Sequence, residues 1–157
     1  MQFGLSEEQV LLQDNVNRFL TDNVSLETVR KYAEGSSDKE IWQGLAELGI
    51  PALLIPEDQG GLGMTPMDAA ITAEAIGYHV APTPFLGSAI MGPVALSKSS
   101  GDYSELLGQI IEGKTRIGVA FGESVGNRND ARVSVEKGKM NGKSIFVFDS
   151  DANHYLV

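Results

Sequence analysis

Ile50-Pro51-Ala52-Leu53-Leu54-Ile55-Pro56-Glu57-Asp58-Gln59-Gly60-Gly61-Leu62-Gly63 is the stretch on which the fold turns. Pro51 and Pro56 disfavour a helix across its apolar half, which predicts extended chain there. Its second half is a glycine-rich turn. Helix signals lie on both sides. Upstream, Ser6-Glu7-Glu8-Gln9 forms a capping box, and Leu5, Leu12, Val16, Phe19 and Leu20 follow at helical spacing, predicting a helix over 7–22. Ser25 opens a shorter helix closed at Gly35. Ser37-Asp38-Lys39-Glu40 reads as a second capping box, for a helix carrying Ile41, Trp42, Leu45 and Leu48, with Gly49 at its left-handed end.

Downstream, Thr65-Pro66 is a cap followed by proline in the first turn, opening a fourth helix with Ala69, Ala70, Ala73 and Ile76 on its apolar face. Thr83-Pro84 repeats that signal for a fifth helix, where Pro93 predicts a kink. Asp102 caps a sixth, which ends at Gly113. Beyond residue 114 the pattern becomes β: Thr115 to Phe121, Ala131 to Val135, an Asn141-Gly142 turn signal, Ser144 to Phe148 and His154 to Val157. The expected fold is mainly α: an all-α helical bundle over 1–114, then the first strands of an incomplete β domain over 115–157. The final Tyr155-Leu156-Val157 falls mid-strand, so the chain is expected to be part of a longer protein.

The 157 residues carry 12 Lys+Arg against 21 Asp+Glu, a net charge of −9. That balance argues against nucleic-acid binding and against an electrostatic grip on anionic membranes. There is no cysteine, which excludes disulfides, thiol catalysis and Cys-ligated metals. His79 and His154 have no ligand partners nearby in sequence, so no metal site is expected. The N-terminus lacks a signal peptide, and the apolar run Phe85 to Leu96 is too short to span a bilayer. The expectation is a cytoplasmic protein.

Most polar features carry structural rather than chemical meaning. The Gly60-Gly61-Leu62-Gly63 loop lacks the Lys-Ser/Thr of a phosphate loop, and Glu57 and Asp58 would repel phosphate, so it reads as a tight turn. Glu74 reads as a surface carboxylate, Asp149 and Asp151 as a turn, Trp42 and Phe19 as core, His79 as structural or exposed. Gly122-Glu123-Ser124-Val125-Gly126 matches the bare G-x-S-x-G pattern. It lacks the helix that must follow in a hydrolase elbow.

The ordered set of motifs nevertheless resembles one family. Leu5-Ser6-Glu7-Glu8-Gln9, then Trp42-Gln43-Gly44-Leu45-Ala46-Glu47-Leu48-Gly49-Ile50, then Leu54-Ile55-Pro56-Glu57-Asp58-Gln59-Gly60-Gly61-Leu62-Gly63, then Ala73-Glu74-Ala75-Ile76-Gly77 is similar to the N-terminal helical domain of flavin-dependent acyl-CoA dehydrogenases. Gln59 replaces the family's usual aromatic. Ala81-Pro82-Thr83-Pro84-Phe85 resembles a divergent subgroup that includes bacterial steroid- and aromatic-degradation dehydrogenases, some of which work as heteromers with one flavin-free subunit. The β part departs further. Gly122 stands where a flavin-contacting threonine is usual, and Phe146-Val147-Phe148 where Trp-Ile-Thr is usual. Phe146 keeps an aromatic surface for the flavin, whereas Phe148 cannot supply the hydroxyl.

The resemblance implies α,β-dehydrogenation of an acyl-CoA thioester with FAD as cofactor. It places Phe121, Gly122, Glu123 and Phe146 on the flavin side, and one wall of the acyl pocket near the fourth and fifth helices. The family's catalytic base normally lies in a C-terminal helical domain, so no catalytic residue is expected in this chain and the fragment alone is expected to be inactive. Implied partners are the acyl-CoA substrate, an electron-accepting flavoprotein or similar, and further subunits of a homo- or hetero-oligomer. Two alternatives stand beside this: a non-catalytic partner subunit of a heteromeric dehydrogenase, and a free-standing helical interaction module.

Overall fold

The computed structural model describes residues 4–121 and 133–157. Among the described residues, six α-helices precede short strands. They are α1 (Glu7–Asn23), α2 (Leu26–Ala33), α3 (Lys39–Glu47), α4 (Pro66–Tyr78), α5 (Gly92–Ser97) and α6 (Ser104–Ile111). The strands are β1 (Ile117–Val119), β2 (Ser134–Glu136), β3 (Lys139–Asn141) and β4 (His154–Leu156). The mainly α architecture with the start of a β region is therefore as expected.

Local chemistry explains most helix starts. Gln9 N–H donates to Ser6 Oγ at 3.2 Å while Gln9 Oε1 accepts from Ser6 N–H at 3.1 Å, completing the box that opens α1. Thr65 and Asp68 do the same for α4. The expected box at α3 is not formed. Ser37 Oγ accepts from the Lys39 N–H at 3.2 Å instead of from Glu40, and Asp38, which takes the N-cap position, makes no side-chain cap bond because its carboxylate is paired with Arg116 far along the chain. The core gathers Val16 and Leu20 of α1, Ile41, Trp42 and Leu45 of α3, Ile50 and Leu53 beyond it, Ala75 of α4, and Phe85 and Ala89.

The stretch over 50–63 is not extended. Ile50–Ala52 and Glu57–Gln59 form 3₁₀ turns. Pro51 sits in the first turn, where its missing N–H costs nothing. The glycine loop then folds back on the apolar run, with Leu62 N–H donating to Ala52 O at 3.0 Å and Gly63 N–H to Ile55 O at 2.8 Å. Gly61 is required by close approach: a Cβ there would lie 2.0 Å from Ile55 O.

The fifth helical segment also departs from a kinked α-helix. Leu86–Met91 is a π-helical turn, and α5 begins only at Gly92. Pro93 thus lies in the first turn of α5, and the wider π ladder absorbs the bond and the space that an interior proline would disrupt.

In the β region, β1 pairs in parallel with β4, and Val119 forms an antiparallel bridge with Phe148 on its other edge. The chain thus straddles β1. Of Ser144 to Phe148, only this bridge is strand-like. β2 and β3 form a separate antiparallel hairpin. Its turn is Lys137-Gly138, both at positive φ (51° and 74°), and not the expected Asn141-Gly142, which follows β3. No described helix is long and apolar enough to cross a membrane.

Candidate functional site

An apolar cleft of about 410 Å³ opens between α4, the π turn and the β region. Ala73, Ile76 and Gly77 form one wall. The connector and π turn supply Ala81, Thr83, Pro84, Phe85, Leu86 and Gly87, and Phe148 faces them from the β region. The small side chains of Ala73, Gly77, Ala81 and Gly87 leave the space. The α4 wall is held from its N-terminus, where Asp68 accepts from the Thr65 N–H at 2.8 Å and from the Thr65 hydroxyl at 2.6 Å. Burial would raise the Asp68 pKa, but these bonds and one from Gln9 outweigh it and hold the carboxyl below its usual range.

Tyr32, Asp38 and Asp149 close the polar end of the cleft and also line a second, polar cleft of about 760 Å³ beside the 35–38 loop and the start of α3. At this junction Arg116 pairs with Asp38, and its other nitrogen lies 3.8 Å from Asp149. Burial pushes the Asp149 carboxyl up; Arg116 opposes that, and Asp38 and Asp151 add to it. Asp149 Oδ2 is buried without a hydrogen-bond partner among the described residues. Burial, then the charge of Asp38, also raise the Tyr32 phenol. The Asp38–Arg116 pair was invisible in the sequence because 78 residues separate its members.

Of the four positions assigned to the flavin side, Phe121 follows β1 and is part-exposed at 38%. Phe146 is 83% exposed and sits at φ 56°. Gly122 and Glu123 lie outside the described residues, as does Ser124. On this edge the antiparallel pairing among the described residues is the isolated Val119–Phe148 bridge, and it does not extend to Phe121 and Phe146. Ser144 Oγ donates to Ala120 O at 3.1 Å along the same edge. Phe148, read in the sequence only as a lost hydroxyl, faces the apolar walls of the cleft, with Asp149 beside it at the polar end. The i, i+2 spacing of Phe146 and Phe148 was the signal available for it. Glu74 is exposed, His79 packs edge-on to Tyr78 at 5.2 Å, and Asp149 to Ala152 forms a turn. No group of three or more His, Asp or Glu among the described residues could hold a metal ion.

The donor set decides what a flavin could meet here. Phe121, Phe146 and Phe148 are all exposed aromatics in the β region, and exposed aromatic faces of this kind suit stacking against an isoalloxazine ring. Phe146-Val147-Phe148 offers no side-chain polar group, so polar contacts from this segment would come from the backbone.

The helical core, the glycine loop and the apolar cleft belong to a recognisable class. The family model described as acyl-CoA dehydrogenase, N-terminal domain, matches residues 6–104, and the chain belongs to this family. A curated relative, acyl-CoA dehydrogenase IpdE2 of Mycolicibacterium smegmatis, is 38% identical over 96 residues, covering 59% of this chain and 31% of the relative. The chain thus aligns with about a third of that relative's length. Among solved structures, a variant of the Tcur3481–Tcur3483 steroid ACAD superposes with TM-score 0.80 at 24% identity, covering 96% of this chain and 44% of that one. The ChsE4–ChsE5 complex of Mycobacterium tuberculosis gives 0.72 at 18%, covering 92% and 40%. The FAD complex of PigA gives 0.73 at 22%, covering 94% and 42%. At these identities the solved structures speak to the fold alone.

Proposed function

We propose that this chain is the N-terminal part of an FAD-dependent acyl-CoA dehydrogenase, organised as a helical domain over 1–114 and the opening of a β domain over 115–157. The observation that carries the reading is the apolar cleft between α4, the π turn and Phe148, within a chain of this family. Its walls bury an acyl chain, and its small residues give it width. Bound FAD would supply the redox step, accepting hydride from the β carbon of the thioester. The residues of this chain bind and orient: the α4 and π-turn walls hold the acyl group, and Phe121, Gly122, Glu123 and Phe146 lie on the flavin side. No residue of this chain removes the α proton. The complete protein works in a soluble compartment, the cytoplasm, as a homo- or hetero-oligomer, and passes electrons to a flavoprotein or similar acceptor.

Anaerobic titration of the FAD-loaded protein, complete with any subunit that co-purifies, tests this. Acyl-CoA thioesters, straight-chain and polycyclic, are expected to bleach the visible flavin band. A protein that retains flavin but is bleached by none of them overturns the dehydrogenase reading. A second reading, a partner subunit that binds no flavin itself, is favoured by the missing hydroxyl at Phe148. It predicts that all flavin resides on the other chain of a co-purified pair.

A further inference from the structure

The two walls of the cleft are both hydrogen-bonded to β1, one of them through a single side chain. Leu86 and Gly87 line one wall. The next residue, Ser88, is fully buried, and its Oγ accepts from the Ile117 N–H at 2.9 Å. Two residues along β1, Val119 exchanges a pair of 3.0 Å backbone bonds with Phe148, which lines the facing wall. Contact between the π turn and β1 is backbone on backbone. A Cβ on Gly87 would lie 2.0 Å from Ile117 O, and one on Gly92 would lie 2.8 Å from Ile117 Cβ.

A serine inside a regular helix usually returns its hydroxyl to its own turn or points it to water. Here its oxygen is spent on the first N–H of a strand. The π ladder shifts the helix surface by one residue relative to a plain α-helix, the kind of irregularity that recurs at functional sites. Glycine contacts allow close approach but do not fix sliding, because dispersion has no direction. The Ser88–Ile117 bond is directional and fixes the register of β1 on the turn.

We propose that Ser88 is a positioning residue that sets the width of the cleft between Leu86–Gly87 and Phe148, and so selects between broad and narrow acyl groups. This rests on the acyl-binding reading above. Ser88→Ala removes the acceptor, leaves the Ile117 N–H buried and unpaired, and frees β1 to shift. Ser88→Cys serves as a second variant should the alanine form fail to fold, since it keeps the site filled, with a somewhat larger atom, and weakens the acceptor.

The test uses the complete protein and two probes, octanoyl-CoA and cyclohexylacetyl-CoA, with their affinities measured by calorimetry, alongside amide exchange. In the variant, the Ile117 amide is expected to exchange faster while the amides of Trp42 and Leu45 do not change. The ratio of the two affinities is expected to move by about tenfold. If Ile117 exchange rises but both affinities fall together or stay fixed, Ser88 is structural only and the proposal is overturned. A proportionate rise in exchange across the chain overturns it likewise. If neither thioester binds the unaltered protein while the Ile117 amide still responds to the variant, the acyl reading fails and takes the selective role with it.

Discussion

The helical region and the β region treat their apolar residues in opposite ways. Val16, Leu20, Leu45, Ile50 and Leu53 have no exposed surface, whereas Phe146, Val135 and Met140 are 83%, 69% and 58% exposed. The β2–β3 hairpin is exposed at every position. A helix satisfies its backbone internally and needs only one apolar stripe to find a neighbour. A strand needs partners on both edges and a layer against its face before its side chains are covered. Of the described strands, only β1, lying on the π turn with a neighbour on each edge, is buried throughout. The helical part thus holds most of the buried core, while the strands beyond β1 leave their apolar side chains on the surface.

That contrast predicts large losses from small changes in the helical part. Gly61→Val drives side-chain atoms into Ile55 O and is expected to cost more than about 4 kcal/mol, enough to abolish folding by circular dichroism. An unchanged melting curve would mean that the loop does not lie on the 50–55 run. Arg116→Ala leaves Asp38, which is 7% exposed, without its partner, and about 3–5 kcal/mol is expected from chemical denaturation. Leu45→Ala opens a cavity in the core for about 2–5 kcal/mol. Val135→Ala in the hairpin is expected to stay within about 0.5 kcal/mol. Should Leu45→Ala and Val135→Ala cost the same, the division into a closed and an open region collapses.

Asp68 gives a smaller effect with a pH signature. Its folded pKa lies below its unfolded value of 3.8, so its stabilisation is complete above that pH. It is lost as the pH falls through the folded value. Asp68→Ala is expected to cost about 1–2 kcal/mol at pH 7, and the gap between the two proteins should shrink below about pH 4. A gap that persists undiminished into strong acid would show that the carboxylate charge is not what caps α4.

What the sequence revealed follows the range of the forces involved. Ser6, Ser25 and Thr65 cap helices through bonds spanning three residues, so their starts were legible. The cleft wall near the fourth and fifth helices came from family resemblance rather than from periodicity. Pro51 misled because a proline that forbids a helix interior is welcome in a first turn. Asn141-Gly142 is the commoner hairpin signal, yet the turn fell at Lys137-Gly138, because the Val135–Met140 pairing sets the register. Asp38 passed as one member of a capping-box stretch, since nothing local announces a partner 78 positions away. The Ser88–Ile117 bond was hidden for the same reason.

The smallest expected effect is also the most telling about the open region. Phe146 combines 83% exposure with a left-handed φ of 56°. A bulky side chain pays about 1 kcal/mol or more for that conformation and recovers nothing from burial. Phe146→Gly is therefore expected to stabilise the protein, by less than about 1 kcal/mol once the greater freedom of unfolded glycine is set against it. Thermal denaturation without cofactor reads this directly. If Phe146 instead proves necessary for stability, its ring is covered in solution and the exposed edge is not open. If stability rises while retention of FAD falls, strain at 146 is the cost of holding an aromatic face toward the ring, which is how a proposed flavin-side position should behave.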